Sequence, residues 1–571
     1  MSSLSNEYQP TDDIMPNMTQ ETKNRIASLL TGDIKLQTRQ QIEETYPPRQ
    51  LPSGAIVTRS APSPTGFVHI GTIYMCLLNQ FLACQTAGVY MLRIEDTDKK
   101  REIADGVEQI VHALESFDLM PNEGVNENGE NYGSYGPYLQ SERQAIYLTY
   151  ALELLQNDHA YPCFATKDEI DANVTAQQSA KVRPGYYGKW ALWRQKTDAE
   201  IVAALDAGLP FVLRFKSSGS HEARVVFDDM LKGHLELPQN DLDVPLIKAD
   251  GSALPTYHLA HVVDDFLMKT TFILRGDEWL PSTPLHIQLC QALNIAPFTY
   301  AHFAPISIID KNGGGKRKLS KRKDPEADIK YWLAAGYPIE GMKAYLLGLA
   351  NSSFEAWYHE HPQAPLSDYV LSIEKLAASR APLLDEPKLQ DYCKDYIAGL
   401  SQEAFSEQIH TNAPDALKKA LNQDGVYTEQ VLAIERSGDK PRKDLAKWSD
   451  ATEQYGYFFD ALFQSEFKPH ITQELQDFSS DVITLVCKTF LNTYQAPDDQ
   501  VEWFNKLKSA AEVCGFATDN KIYKANPEQF KGNVADFARI IRVKLTGKNR
   551  TPDLYTIMQV MGIQRIMERL S

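Results

Sequence analysis

Polar residues suited to phosphate chemistry follow a predicted strand near the start of this sequence. The run His-Ile-Gly-Thr at 69–72 comes after a β-prone segment, 56–58, and opens an apolar segment, 73–83, long enough for a helix. Free N–H groups at a helix N-terminus favour a bound phosphate. We therefore predict a phosphate site at this helix start. The alternative is an ordinary βαβ unit whose histidine holds no ligand.

A second candidate for phosphate binding is the basic loop 311–323. Seven of its 13 residues are Lys or Arg, although the chain carries a formal net charge of −17. Glycines at 313–315 supply mobility, so the loop could close over a polyphosphate. A solvated surface loop or a localisation-type patch is the alternative. A localisation signal would not need the strand predicted at 305–309 or a glycine hinge, so we favour a phosphate-handling loop.

Charged residues also stand where two further predicted strands end. The strand predicted at 271–274 leads into Arg-Gly-Asp-Glu at 275–278, and the run 89–94 leads into Glu-Asp-Thr-Asp at 95–98. Open α/β sheets bind their ligands at the carboxyl ends of strands. Solvated ion pairs of little energetic value are the alternative. For the cluster at 275–278, the residues alone leave both interpretations open.

The elements that must position these groups alternate between strand and helix. Helical spacing at 103–119 and a strand–helix pattern that resumes at 254 predict a doubly wound α/β domain. Short β-like runs among helical pieces at about 160–250 indicate an insertion in that domain. Beyond about 390 the pattern is helical, which predicts an all-α C-terminal domain.

Bulk properties exclude several classes of protein. Apolar residues make up 43% of the 571 residues, and no apolar run approaches the ~20 residues of a membrane span. The polar, acidic N-terminus lacks secretion features. The seven cysteines are dispersed, at 76, 84, 163, 290, 393, 487 and 514. This dispersal predicts a reducing, cytoplasmic location. Net negative charge disfavours nucleic acid unless basic residues form a local face.

Six motifs stand in order along the chain: RSAPSPTGFVHIG, LRIEDTD, YLQSER, PTYHLAHVVDD, ILRGDEW and KLSKRKDP. The first and last contain sequences that resemble the HIGH and KMSKS signatures of class I aminoacyl-tRNA synthetases. Together the six are similar to the bacterial-type glutamyl-tRNA synthetases over about residues 55–571. The resemblance implies ATP-dependent activation of L-glutamate and its transfer to tRNA-Glu.

The resemblance also implies a domain organisation. It predicts an N-terminal extension at 1–52, a Rossmann-like catalytic domain at 53–160 and 251–310, an inserted acceptor-binding domain at 161–250, a signature loop with stem-contact domain at 311–390, and a helical anticodon-binding domain at 391–571. We further expect a monomer without membrane association.

Site residues follow from matching positions in the motifs. The residues implied for catalysis are His69, Lys318 and Lys321. The residues implied to bind ATP are His69, Gly71, Thr72, Glu278, Lys318, Ser320 and Lys321, with Mg²⁺ bridging phosphate oxygens. The residues implied to bind glutamate are Arg59, Ser63, Glu95, Tyr257, His261 and Arg275. Two arginines suit two carboxylates, because guanidinium pairs bidentately with carboxylate. Contacts with tRNA are expected from Arg442, Lys443, Arg539 and Arg542.

The sequence departs from the family pattern at four positions. Thr72 replaces the second histidine of the first signature, and Ser60 replaces a frequent aromatic residue. His261 stands where some relatives carry Asn. The segment around Cys163 keeps one cysteine of the family's zinc-binding insertion, so we expect no zinc.

Three alternatives to a strictly glutamate-specific enzyme stay open. One is a glutamine-specific or non-discriminating relative that also charges tRNA-Gln. The others are a catalytically silent tRNA-binding paralogue and a tRNA-modifying relative. The intact His69, Lys318 and Lys321 argue against silence. The long helical C-terminal half argues against modifying relatives, which lack an anticodon domain.

Overall fold

The computed structural model describes residues 18–571 apart from 311–312, 363, 379–381, 439–440 and 497. The chain divides into two compact units. One comprises Met1–Ile329, Leu349–Phe354 and Ser367–Leu384; the other comprises Lys330–Gly348, Glu355–Leu366 and Asp385–Ser571. None of the described helices has both the length and the apolar composition that a membrane crossing requires.

The strands of the described chain lie in the first unit. In chain order they are Val57–Ser60, Val89–Leu92, Gly124–Val125, Asn131–Tyr132, Ala160–Cys163, Val212–Phe215, Arg224–Asp229, Gly233–Pro238, Pro245–Ile247, Ile273–Gly276, Tyr300–Phe303, Ser307–Ile309 and Lys316–Lys318. The helices of this unit before residue 329 are Gln20–Thr31, Arg39–Glu44, Ile70–Cys84, Gly106–Ser116, Gln144–Gln156, Lys167–Ser179, Asp198–Asp206, Tyr257–Leu267 and Thr283–Ala292.

Parallel strands form the frame of the predicted nucleotide-binding domain. Val57–Ser60 pairs with Val89–Leu92 in parallel, with the buried helix Ile70–Cys84 as the connection. Ile273–Gly276 pairs in parallel with Tyr300–Phe303. The N–H groups of Thr271 and Phe272 donate to the Val57 carbonyl, which joins the two parallel pairs. The carboxyl ends of these strands therefore gather the residues that follow them.

The predicted insertion contributes to two sheets. Ala160–Cys163, Val212–Phe215 and Pro245–Ile247 form an antiparallel sheet of their own. The hairpin Arg224–Asp229 with Gly233–Pro238 instead extends the sheet of Ile273–Gly276 and Tyr300–Phe303, where Asp229 pairs with Tyr300. This hairpin thus lies beside the strand Tyr300–Phe303.

The described N-terminal segment packs against the helix Gln144–Gln156. The helix predicted at 21–30 spans Gln20–Thr31 and is capped by the Thr19 side chain. Its Lys23 ammonium donates to the Gln156 carbonyl at 3.0 Å and pairs with Asp158 at 2.8 Å. The described part of the extension is therefore anchored at the C-terminus of the helix Gln144–Gln156.

The rest of the chain is helical. Its helices are Ile329–Ala335, Ile339–Ala350, Ser352–Glu360, Ile373–Ala378, Glu386–Gly399, Gln402–Asn412, Asp415–Leu421, Gly425–Leu432, Ala451–Tyr455, Asp460–Leu462, Ile471–Glu474, Ser480–Thr493, Gln500–Val513, Asn520–Ala525, Val534–Thr546 and Leu554–Leu570. Trp448, Phe458, Phe537 and Ile557 belong to its buried core. Among described residues after 384, β pairing is confined to an isolated bridge between Ala517 and Asn533.

Replacing the buried Asp264 with alanine is expected to lower the free energy of unfolding by about 3–5 kcal/mol. Its carboxylate accepts hydrogen bonds from Arg143 at 2.7 Å, Gln140 at 2.9 Å and Tyr147 at 2.9 Å. The substitution leaves a buried guanidinium without its counter-ion. Chemical denaturation measures the loss, with the exposed Asp33→Ala as control. A loss below about 1 kcal/mol would show that the guanidinium finds another partner.

Candidate active site

The first predicted phosphate site is a helix start capped by a histidine. His69 precedes the helix Ile70–Cys84, and its Nδ1 accepts a hydrogen bond from the Gly71 N–H at 2.8 Å. Burial, together with the charge of Lys321, lowers the pKa of His69 to about 4. The ring is therefore neutral at pH 7. Because Nδ1 accepts, the ring proton resides on Nε2, where it can serve as a donor.

The second predicted phosphate site is a β-hairpin. Ser307–Ile309 pairs antiparallel with Lys316–Lys318, and the described part of the intervening loop lies between them. The Arg317 guanidinium binds both carboxylate oxygens of Asp324, at 2.7 and 2.6 Å. Asp324 also accepts the Ser320 N–H at 2.8 Å. This bidentate pair fixes the backbone that carries Lys318, Ser320 and Lys321.

The two predicted phosphate sites line one cavity of about 470 Å³. Its walls are His69, Gly71, Thr72, Tyr74, Met75, Gly276, Glu278, Phe303, Pro305, Ile306, Lys318, Leu319, Ser320 and Lys321. The structure thus brings together all seven residues that the resemblance implies for ATP. A backbone bridge between His69 and Asp328 joins the helix start to the segment after the hairpin.

Three side chains set the charge of this cavity. The Lys318 ammonium lies 2.8 Å from a Glu278 carboxylate oxygen. The Lys321 ammonium donates to the Phe67 carbonyl at 2.7 Å and lies 5.2 Å from the centre of the Phe67 ring. Glu278 folds back over Gly276, where any side chain would collide with its carboxylate. Both lysines therefore face the helix start from the opposite wall.

Asp265 positions Arg59, one of the two arginines of the predicted glutamate pocket. Its carboxylate accepts from Arg59 Nε at 3.0 Å and from Arg93 at 2.8 Å, and it lies 2.7 Å from His261 Nδ1. Hydrogen bonds from Arg59 to the described residues use Nε only. The terminal nitrogens of Arg59 are the groups that can pair bidentately with a carboxylate.

Tyr257 lies within electrostatic range of the other predicted glutamate ligands. Burial raises its pKa, and the charges of Arg275, Glu95 and Arg59 act on it. Its ring stacks on His261 at 9° and lies 4.1 Å from the Trp279 ring. The charges of both arginines and of Glu95 therefore act on the Tyr257 hydroxyl.

The pKa of Glu95 is unusually high for a carboxylate. Burial raises its pKa to about 7, against the opposing charges of Arg93 and Arg59. One of its carboxylate oxygens is buried without a hydrogen-bond partner among the described residues. An ammonium group bound there would supply the missing donor. Ser63, by contrast, is exposed on the loop before the helix.

Arg275 is a buried arginine surrounded by neutral groups. Its side chain is 2% exposed, and no carboxylate of the described residues lies within 4.0 Å of its guanidinium. It donates to His302 at 2.8 Å and to Thr283 at 3.0 Å, and lies 4.6 Å from the Tyr300 ring centre. A buried cation without a counter-ion is costly, so an anionic ligand would be bound favourably.

The four residues predicted to contact tRNA differ in exposure. The side chain of Arg442 is 5% exposed. It pairs with Asp444 and packs on the Tyr455 ring. Lys443 pairs with Asp395 at 2.6 Å, and its side chain is 57% exposed. Further along the chain, Arg539 binds Asp477, and Arg542 has its Nε buried without a partner in the described chain.

Several residues of the site were not predicted from the sequence. They are Arg93, Asp229, Asp265, Thr283, Tyr300, His302 and His286, whose Nδ1 lies 3.3 Å from a terminal nitrogen of Arg275. Asp265 stands four residues after His261, a helical spacing that could have indicated their contact. His302 and Asp229 carry no comparable signal, because 73 residues separate them.

The motifs and the cavity define a class of protein that sequence comparison identifies directly. Residues 55–356 match the catalytic domain of class I tRNA synthetases for glutamate and glutamine (E and Q). Glutamate–tRNA ligase of Clostridium perfringens strain 13 is 41% identical over 553 residues, covering 95% of this chain and 99% of that protein. Glutamate–tRNA ligase of Sorangium cellulosum is 40% identical over 572 residues, covering 95% and 99%.

Solved structures show the same fold. A glutamate tRNA ligase from Elizabethkingia meningosepticum in complex with its amino acid aligns with a TM-score of 0.68 at 22% identity, covering 90% of this chain and 98% of that one. Glutamate–tRNA synthetase of Elizabethkingia anophelis gives 0.65 at 23% identity, covering 90% and 99%. The chain belongs to the glutamyl-tRNA synthetase family of class I aminoacyl-tRNA synthetases. Both the resemblance and the predicted α/β fold with a helical C-terminal region are confirmed.

Proposed function

We propose that this chain activates L-glutamate with ATP to glutamyl-adenylate and transfers the glutamate to the 3′-terminal adenosine of tRNA-Glu. The observation that carries the proposal is Arg275, buried without a carboxylate partner in the described chain. Arg275 lies on the strand Ile273–Gly276. The next residue of this strand, Gly276, lines the cavity between the two phosphate-binding signatures. An anionic amino acid and a nucleotide triphosphate thus have adjoining sites.

The ATP site supplies donors from both walls. The helix start at Gly71 and Thr72 offers its partial positive charge to phosphate oxygens, while the N–H groups of these two residues bind His69. His69 adds a neutral Nε2–H donor, while Lys318 and Lys321 add positive charge. ATP enters as its Mg²⁺ complex, so the metal ion shares the neutralisation of the triphosphate. Among described side chains, no group of three His, Cys, Asp or Glu is arranged to hold a metal ion.

The glutamate site supplies two cations and one anion. Arg59 and Arg275 pair with the two carboxylates, and Glu95 pairs with the α-ammonium. Ser63, Tyr257 and His261 complete the pocket with hydrogen bonds and ring contacts. Burial lowers the pKa of His261 to about 3, so its ring is neutral and adds no positive charge. The charge pattern favours glutamate over glutamine, because glutamine would leave one arginine unneutralised.

The chemical step needs positioning and charge stabilisation. An oxygen of the α-carboxylate attacks the α-phosphorus in line with the departing pyrophosphate. The new P–O bond forms as the bond to the bridging oxygen breaks, and the electron pair leaves with pyrophosphate. Lys318 and Lys321 stabilise the charge that develops on the triphosphate. No protein side chain becomes covalently attached. In the second step the terminal ribose hydroxyl attacks the carbonyl carbon and releases AMP.

Charging assays test the proposal. With Mg²⁺, ATP and radiolabelled glutamate, we expect ATP–pyrophosphate exchange in the presence of cognate tRNA and stable Glu-tRNA-Glu. Assays on purified tRNA-Gln separate a discriminating from a non-discriminating enzyme. Charging with glutamine but not glutamate would support the glutamine-specific alternative. Binding of tRNA without exchange or charging would support the silent paralogue and overturn the proposal.

Contacts with the anticodon arm are proposed for exposed basic residues of the helical region. Lys443 and Arg539 have solvent-accessible side chains, and Arg542 lies one turn after Arg539 on the helix Val534–Thr546. Single-stranded bases are commonly bound by stacking and by arginine. Arg442 is held by Asp444 and Tyr455, and the backbone it anchors carries the neighbouring Lys443.

The KM for glutamate is expected to rise by about tenfold per pH unit below about pH 7. Pairing with the α-ammonium requires ionised Glu95, whose pKa is raised to about 7 in the free protein. Protonation therefore removes the counter-ion as the pH falls. The kcat should change little, because bound glutamate holds Glu95 ionised. Steady-state charging from about pH 8 to about pH 5.5 measures both parameters.

Two variants control this pH experiment. Glu95→Gln should raise the KM for glutamate at every pH and abolish its pH dependence. The exposed Glu127→Gln should reproduce the wild-type profile. A wild-type KM that stays constant across the range would contradict the assignment of Glu95 to the ammonium group.

A further inference from the structure

Arg275 is held by a buried carboxylate–imidazole pair from outside the predicted glutamate pocket. His302 Nδ1 lies 2.5 Å from a carboxylate oxygen of Asp229, and His302 Nε2 lies 2.8 Å from Arg275 Nε. Asp229 and His302 are 2% and 0% exposed. The three side chains form a continuous hydrogen-bonded series that ends at the proposed anion-binding guanidinium.

Donor and acceptor roles in this series are fixed by the arginine. A guanidinium nitrogen can only donate, so His302 Nε2 must carry a lone pair. The ring proton then resides on Nδ1 and is donated to Asp229. Burial lowers the pKa of His302, which keeps the ring neutral. Burial alone would raise the pKa of Asp229, but hydrogen bonds from His302 and the Leu231 N–H hold it below its ordinary value.

Asp229 is itself fixed by the backbone. Its other carboxylate oxygen accepts the N–H groups of Leu231 at 3.0 Å, Lys232 at 2.9 Å and His302 at 3.2 Å. It stands at the end of the strand Arg224–Asp229, which belongs to the segment predicted as an insertion. Because this strand pairs with Tyr300–Phe303, the hairpin places a carboxylate directly behind the amino-acid pocket.

We propose that Asp229 and His302 are positioning residues. Asp229 sets the tautomer of His302, and His302 sets the orientation in which Arg275 binds a carboxylate of the amino-acid substrate. The proposal rests on the proposed function, since it assigns a role within the glutamate site. Arg275 Nε is committed to His302, and Thr283 accepts from one terminal nitrogen. The guanidinium is thereby held in one plane, which limits the loss of side-chain entropy on binding.

The Asp229→Asn variant tests the tautomer argument at nearly constant volume. If the amide oxygen keeps the three backbone N–H donors, the amide nitrogen faces His302 Nδ1 and donates to it. The ring proton then moves to Nε2, where it opposes the Arg275 Nε–H. We expect the KM for glutamate to rise by about tenfold or more, with the kcat and the KM for ATP near wild-type values.

Two substitutions at His302 provide a rescue test. His302→Gln places an amide oxygen near the position of Nε2, so it can accept from Arg275 and should retain most of the affinity for glutamate. His302→Leu removes the acceptor and should raise the KM as Asp229→Asn does. The matched control is Asp228→Asn, which changes the neighbouring residue of the same hairpin. Its carboxylate pairs with the exposed His234 and should leave the KM unchanged.

The outcomes separate this inference from the proposed function. Wild-type charging with an unchanged KM for glutamate in Asp229→Asn and His302→Leu would overturn the positioning role alone. Parallel losses in kcat and in both KM values, with a lowered Tm, would show general disruption and also overturn it. A wild-type chain that charges no tRNA would overturn both. Recovery in His302→Gln but not His302→Leu supports the positioning role.

Discussion

Replacing Lys321 with alanine is expected to lower the kcat for glutamylation by about 10²–10³-fold. The Lys321 ammonium lines the cavity opposite the helix start, held at 2.7 Å by the Phe67 carbonyl. A fixed positive charge stabilises charge that develops on the triphosphate as pyrophosphate departs. Because this stabilisation is greatest in the transition state, the KM for ATP should change less than kcat. Single-turnover formation of Glu-tRNA measures the loss.

A neighbouring lysine and a binding measurement control this experiment. Lys316→Ala removes the same charge from the same hairpin, but Lys316 is exposed and outside the cavity walls. It should charge tRNA at close to the wild-type rate. Affinity for tRNA, measured by filter binding, should survive in Lys321→Ala. Equal losses of tRNA binding and charging would assign the loop to tRNA contact instead.

Local patterns were sufficient to predict the catalytic elements. The apolar run 73–83 predicts the helix that spans Ile70–Cys84, and the run 89–94 predicts the strand Val89–Leu92. Both signals arise because each element buries a face with its own periodicity. The residues proposed to bind ATP line one cavity for a related reason. They stand within three short motifs, and each motif is positioned by the strand or helix beside it.

The residues behind the proposed glutamate pocket could not be predicted in this way. Arg275 depends on His302, which lies 27 residues later, and on Asp229, which lies on a hairpin within the predicted insertion. Strand pairing alone brings these residues together. Buried polar groups require partners, but the sequence does not state which strand supplies them.

Helix boundaries in the C-terminal half show a second limit of prediction from the sequence. Residues 455–465 and 471–491 read as continuous helices by apolar spacing, yet the chain there forms short 3₁₀ and π turns, with longer helix only at Ser480–Thr493. Pro469 lacks the N–H that a continuing helix would need. The aromatic side chains of Tyr457, Phe463 and Phe467 are buried together in the core. Tertiary packing of bulky rings therefore overrides local helical spacing in this segment.

Replacing Arg275 with glutamine is expected to raise the KM for glutamate by about 10²–10³-fold, because the ion pair with a substrate carboxylate is buried. The buried guanidinium has no carboxylate partner among the described residues, so its charge is available to the ligand. With that charge removed, a glutamate carboxylate would enter the site without a counter-ion. The KM for glutamine as a substrate should rise far less, so the preference for glutamate over glutamine should fall. ATP–pyrophosphate exchange with each amino acid, in the presence of tRNA, measures the ratio.

Arg275→Lys separates the charge of this residue from its geometry. Lysine keeps the positive charge but lacks the planar fork that binds His302, Thr283 and a carboxylate together. We expect a KM for glutamate between those of wild type and Arg275→Gln, with selectivity against glutamine largely retained. The KM for ATP should stay near wild type in both variants. If both retained the wild-type KM for glutamate, the buried cation would be structural, and carboxylate recognition would rest on Arg59 alone.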